Sequence, residues 1–309
     1  MVDQPGRRDV HIIDDVPELR GQDEGPILVV CLDGFLDAGR AAVTAANHLL
    51  ESGDSRVVAS LDIDSFYDYR SRRPPLSFVE DHYESYEAPR LVVRLAFDAN
   101  QAPYLLLHGP EPDLRWEAFA LAIRHVVEHF GVRLTVQMGA VPMAVPHTRP
   151  AHLTHHATDP NLILTENIWS GELRVPASAQ SLLEIRLGEW GHPAMGFVAH
   201  VPHYLTQTED KSAALRLVEA LQIISGLTWD NGSLEQAAIQ NRVEIDEQVA
   251  QSDELRQLVR GLEEQYDAFH SARTGEATNL LAQDRPLPTG EEIGSEFERF
   301  LAGLEDGED

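Results

Sequence analysis

From Pro26 onward the chain alternates short β-branched runs with stretches of helical periodicity, and this alternation constrains the fold more than any other feature. Strands are predicted at Ile27–Leu32, Arg56–Ile63, Leu91–Ala96, Tyr104–His108, Arg133–Met138 and Ala194–His200. Between them, Ala38–Glu51 holds Ala42, Ala45, Ala46, Leu49 and Leu50 near one helical face. Leu114–Phe130 does the same with Leu114, Ala118, Leu121, Ala122, Val126 and Phe130. Gly53 and Gly131 stand where such helices would stop. A third amphipathic stretch runs from Glu209 to Ser225 and closes at Gly226. An α/β sheet with helical crossovers follows, occupying residues 26–230 after an N-terminal segment of residues 1–25.

Beyond residue 230 the character changes. Residues 231–309 hold about half of the chain's net charge of −27. Leu234–His270 reads as helix, with Ile239, Val243, Val249, Leu255, Val259, Leu262, Tyr266 and Phe269 as an apolar stripe that should pack on the main domain or on another subunit. Thr274–Asp309 is rich in Gly, Pro and acids, and the end beyond Glu305 is expected to be disordered.

So acidic a chain argues against free DNA or RNA as a partner, because nucleic-acid binding needs clustered cations that displace counterions. Lys211 is the sole lysine, a bias that reads as the coding habit of a GC-rich genome. Residues 1–20 lack an apolar signal core, and no apolar run approaches the ~20 residues a membrane span needs. The single cysteine, Cys31, lies in an apolar strand with no second thiol to pair with. A soluble, cytoplasmic protein without a membrane role is expected.

Two loops carry candidate chemistry. The first, Asp33-Gly34-Phe35-Leu36-Asp37-Ala38-Gly39, joins a strand to a helix; Gly34 permits close backbone approach and Asp37 is placed to cap the helix. Neither a GxGxxG nor a Walker pattern is present, and Asp33 and Asp37 would repel a phosphate, so no nucleotide cofactor is expected there. The second loop, Val145-Pro146-His147-Thr148-Arg149-Pro150, leaves a strand stiffened by prolines. His147 can move a proton near neutral pH and Arg149 can grip a carboxylate or phosphate, or Arg149 can simply brace the loop; residue types alone leave these readings even. Asp33, Gly34 and Asp37 with His147, Thr148 and Arg149 form the candidate ligand or partner site, at the carboxyl edge of the sheet.

Half of the 14 histidines fall between His147 and His203, but no HExxH or Cys/His zinc spacing accompanies them. Residues 151–160 read as a loop, so no metal is expected; His147, His155 and Asp159 are the trio to test. There is no GxSxG elbow. The segment Phe66–Pro75, with Tyr67, Tyr69, Arg70, Arg72 and Arg73, favours a subunit contact.

Taken together, the Asp33–Gly39 loop, the Phe66–Pro75 loop and Gly139-x-x-Pro142 leading into Pro146-His147-Thr148-Arg149-Pro150 resemble the proteasome-assembly-chaperone PAC2 family, in its actinobacterial branch of largely uncharacterised proteins. The resemblance spans about Ile27 to Gly226. It implies a three-layer α/β/α sandwich similar to the phosphorylase/hydrolase-like fold, here with a helical C-terminal extension. It also implies a homo-oligomer, with a trimer as one form, and a protein-interaction or assembly role without established catalysis. The alternative it leaves is a small-molecule binder or phosphorylase-like or hydrolase-like enzyme at the sheet edge. Docking chaperones of the family present a hydrophobic residue and then Tyr as the penultimate pair, whereas this chain finishes Gly307-Glu308-Asp309; docking by that route is not expected.

Overall fold

The structure, a computed structural model, describes residues 8–20, 24–163, 165, 167 and 172–274. In chain order the elements are β1 (Val10–Ile12), β2 (Ile27–Asp33), α1 (Ala41–Glu51), β3 (Ser55–Leu61), β4 (Leu76–Val79), β5 (His82–Tyr86), β6 (Val92–Phe97) and β7 (Pro103–Pro110). There follow α2 (Trp116–Phe130), β8 (Leu134–Met143), β9 (Leu153–Ala157), α3 (Ala179–Glu189), β10 (Ala194–Pro202), α4 (Lys211–Ser225), α5 (Gly232–Ala250) and α6 (Asp253–Thr274). One unit ends at Glu263; the second begins at Glu264 and contains the last turns of α6, where Tyr266 and His270 stack at 4.6 Å.

Eight strands form one sheet in the order β1-β3-β6-β7-β2-β8-β10-β9. The centre, β7-β2-β8-β10, is parallel; the flanks are antiparallel. Side chains alternate across a strand, and a parallel strand buried on both faces must be apolar throughout. β2 obeys this closely: Ile27, Val29 and Cys31 enter one core with Ala45 and Leu49 of α1 and Leu217 and Leu221 of α4. Leu28, Val30 and Leu32 enter the other core, with Phe119 and Ile123 of α2 and Leu183 and Leu187 of α3. Two helical layers therefore cover the sheet, as a three-layer α/β/α sandwich requires.

All six expected strands occur, with ends shifted by a few residues; Ile63 lies instead in a short turn, Ile63–Ser65. Four features of the fold, one of them a two-stranded hairpin, were not expected. β1 is only three residues long. β4 and β5 form a separate hairpin after the Phe66–Pro75 segment, with Phe78 60% and Tyr83 74% exposed. α3 scatters Leu182, Leu183, Ile185 and Leu187 around its axis, so it shows no clear stripe. The fourth, β9, corrects the reading of residues 151–160 as a loop: an edge strand pairs on one side only, so Thr154, His155 and His156 need not alternate with apolar residues.

The stretch from Leu234 to His270, expected to be helical, forms two helices separated between Ala250 and Asp253, where Ser252 Oγ accepts the Leu255 N–H. Nor do Ile239 and Val243 pack inward, being 67% and 44% exposed. Leu234, Ala238, Ile245 and Val249 line the opposite side of α5, and Leu234, Ile245 and Val249 join the core. The expected disorder beyond Glu305 lies outside the described residues. Among the described residues no helix is long and apolar enough to cross a membrane.

Candidate functional site

Strands β2, β7, β8 and β10 run in one direction, so the loops after Asp33, Pro110, Met143 and Pro202 emerge together at the carboxyl edge of the sheet. Both candidate loops are among them.

The first loop is built around Glu111. Its Oε2 accepts the Phe35 N–H at 2.8 Å and its Oε1 accepts the Ala179 N–H at 2.8 Å, at the start of α3, where a negative charge suits the helix dipole. Gly34 is required here: a Cβ would stand 2.2 Å from Glu111 Oε2. Arg72 completes the cluster. It donates to the carbonyl of Glu111 at 2.5 Å and to that of Asp33 at 3.4 Å, pairs with Asp113 at 2.8 Å, and lies 4.8 Å over the Tyr67 ring.

Asp37 sits deeper. Its Oδ1 accepts N–H groups of Ala42 at 2.7 Å and Val43 at 3.4 Å, so it caps the first turn of α1 as expected of it. Its Oδ2 is buried and unpartnered. Burial pushes the carboxyl up to about 7, against the opposing pull of those two N–H donors.

The second loop is held by two helices. The His147 side chain is 5% exposed. The Tyr204 hydroxyl oxygen accepts the His147 backbone N–H at 2.9 Å and lies 2.7 Å from Nδ1; Nε2 lies 2.9 Å from Asp246 Oδ1 on α5. Since Tyr204 accepts one N–H, its own O–H serves Nδ1, and Nε2–H then donates to Asp246, which closes the chain of bonds. Burial pushes the Tyr204 hydroxyl up to about 12, so it stays protonated in this role. Thr148 Oγ1 donates to Glu263 Oε1 on α6 at 2.5 Å, and Arg149 Nη1 reaches the same oxygen at 3.3 Å.

Asp210 connects the two loops. Its N–H donates to the Gly39 carbonyl at 2.8 Å, its Oδ1 caps α4 at the Ala213 N–H, and burial raises its carboxyl. Gly39 has φ +60° and a Cβ there would meet Asp210 Cβ at 3.0 Å. Leu36 accepts the Ala140 N–H at 2.9 Å, which ties the first loop to β8. Asp210 also lines, with His147, Arg149, His200 and Arg242, a cavity of about 20 Å³, the scale of a single water. Asp33, Gly34 and Asp37 are not among its lining residues. Another cavity, about 280 Å³, lies by His48, Glu51, Trp229 and Asp230 and involves none of the six candidate residues.

Arg149 Nη1 also lies 3.3 Å from Thr148 Oγ1, within the same group of bonds. Among the described residues no three His, Cys, Asp or Glu gather as metal ligands; Asp159 caps the turn at Asn161. Glu111, Tyr204, Asp210, Asp246 and Glu263 were not singled out from the sequence. Each is distant along the chain from the loop it holds, and only Glu111, set just past a strand end in Gly109-Pro110-Glu111-Pro112, carries a local signal.

Fold and site define an α/β/α protein whose two carboxyl-edge loops are held by side chains from elsewhere in the chain. The chain belongs to the PAC2 family, whose profile matches residues 31–249. It is similar to a Mycobacterium tuberculosis protein of unknown function, with 45% identity over 87% of this chain and 94% of that one and a TM-score of 0.82. A Corynebacterium glutamicum protein of unknown function shares 35% identity over 84% of this chain and 97% of that one, with a TM-score of 0.80. A Mycobacterium tuberculosis proteasome-assembly chaperone homologue shares 25% identity over 75% of this chain and 99% of that one, with a TM-score of 0.70. No curated protein matches the chain.

Proposed function

We propose that the protein is an assembly factor of the cytoplasm that works by binding other proteins, as a homo-oligomer of which a trimer is one form. Its main α/β domain spans residues 26–230, and the acidic helical region that follows holds the Val145–Pro150 loop in place. The observation that carries this reading is the loop itself: His147, Thr148 and Arg149 bond to Tyr204, Asp246 and Glu263, and the adjoining cavity has room for about one water rather than a metabolite. The likeness to a proteasome-assembly chaperone homologue points the same way. Oligomer formation is supported by the β4–β5 hairpin, which leaves Leu76, Phe78, Tyr83 and Tyr86 exposed together. The test is co-elution with purified proteasome α-type subunits. A complex with unassembled subunits that is lost once the particle matures is expected; a folded protein that binds neither form removes the reading.

A small-molecule function at the same edge has one observation in its favour, the unpartnered buried Oδ2 of Asp37 beside Asp33 and Gly34. A thermal-shift screen against nucleosides and small metabolites decides it: a ligand that stabilises the protein but not Asp37→Asn supports this reading, and a screen without a shift removes it.

A further inference from the structure

The eight-stranded sheet has two edges, β1 and β9, and they are protected differently. β1 is three residues long, with Asp9 before it and Asp14 and Asp15 beyond, and shortness and charge are common ways to keep an edge from pairing. β9 is longer, and only one acid, Asp159, stands close beyond it. It is five residues, Leu153-Thr154-His155-His156-Ala157, with no acid or arginine, in a chain of net charge −27.

In the antiparallel pairing of β9 with β10, successive residues turn their backbone groups alternately toward β10 and away from it. His155 faces away, and both of its outward groups are taken by one side chain. Asn167 Oδ1 accepts the His155 N–H at 2.7 Å, and Asn167 Nδ2 donates to the His155 carbonyl at 2.7 Å. A side-chain amide thus reproduces the bond pair that a neighbouring strand would make. Leu153 and Ala157, two residues to either side, share the outward orientation.

We propose that the outer edge of β9 is a strand-addition surface for β9 of a second copy of this chain, held shut by Asn167. The outward residues are placed symmetrically about His155, so two copies related by a two-fold axis can pair antiparallel, His155 opposite His155 and Leu153 opposite Ala157. The strand is also uncharged apart from its histidines, so two acidic molecules meet there with little local repulsion. This inference is independent of the assembly-factor reading.

Sedimentation velocity of wild type and Asn167→Ala over a concentration series, with hydrogen exchange across residues 153–157, tests it. Asn167→Ala should show a species of twice the wild-type mass that grows with concentration. Adding Ala157→Pro, which removes an outward N–H without touching the β10 ladder, should return the wild-type mass. The proposal is overturned if Asn167→Ala keeps the wild-type mass while exchange at 153–157 speeds up, since the edge is then open and unused. It is equally overturned if exchange does not change, or if the added mass survives Ala157→Pro. Should Asn167→Ala fail to fold, Asn167→Ser, too short to bridge both groups, is measured in its place.

Discussion

His147 Nε2 lies 2.9 Å from Asp246 Oδ1, a bond between residues 99 apart in the chain that fastens the loop after β8 to helix α5. His147 is almost fully enclosed while Asp246 is half exposed, so the cost of breaking the bond falls on the imidazole. Asp246→Ala leaves a buried N–H without its acceptor and should destabilise by about 1–2 kcal/mol. Urea unfolding checks this, and in the His147→Ala background the same change should cost much less.

Gly34 and Glu111 occupy space that a single methyl group would contest. Gly34→Ala drives a Cβ into the Glu111 side chain and should cost about 1–3 kcal/mol. Glu111→Ala removes the acceptors of the Phe35 and Ala179 N–H groups and should also destabilise. The double variant should be less damaged than the sum of the two, because truncating Glu111 makes the room that the added methyl needs; additive losses would contradict the packing described.

Asp37 gives stability a pH dependence of unusual sign for a carboxylate. Its folded pKa, about 7, lies above the unfolded value near ~3.9, so the folded protein binds the proton more tightly. Its contribution is greatest below the unfolded value and is lost as pH rises from about 4 to about 7. Urea unfolding of wild type and Asp37→Asn across that range should show wild type losing stability relative to the variant by an amount on the order of 1 kcal/mol or more.

His200 acts in the opposite sense. Burial, then the neighbouring His152, holds it down at about 4, with Thr154 Oγ1 2.8 Å from Nε2. The unfolded ring takes up a proton near ~6.5, so stability is complete above that pH and falls as pH drops toward 4. His155, lowered chiefly by burial, adds to this acid limb. His200→Gln should flatten the loss between pH 6.5 and 4, as followed by thermal melting.

The parallel centre of the sheet was legible because a strand buried on both faces must be apolar along its length, as Ile27–Leu32 is. Helices α1, α2 and α4 were legible by their stripes. β9 and α3 were not: an edge strand is exempt from that demand, and α3 buries Gln180 beside Leu183, with Gln180 Nε2 donating to the Met138 carbonyl. At the site, the prolines and glycines around both candidate loops were legible as stiff turns. Their partners were not, since Tyr204, Asp246 and Glu263 meet the loop only when the sheet order brings β8 beside β10 and helices α5 and α6 reach it. Arg149, which residue types leave even between bracing and chemistry, reaches a partner no local pattern announces, Glu263 Oε1 at 3.3 Å, 114 residues away.

The central claim is that the Val145–Pro150 loop is a clasp for α5 and the first turns of α6. Hydrogen exchange over residues 232–263 in wild type and in the double variant Thr148→Val, Arg149→Ala measures it directly. Faster exchange over 253–263 of α6 in the variant is the predicted result, with the sheet unchanged and α5 still fastened by His147 to Asp246. An α6 segment that exchanges at the wild-type rate after both bonds to Glu263 are gone would contradict the account.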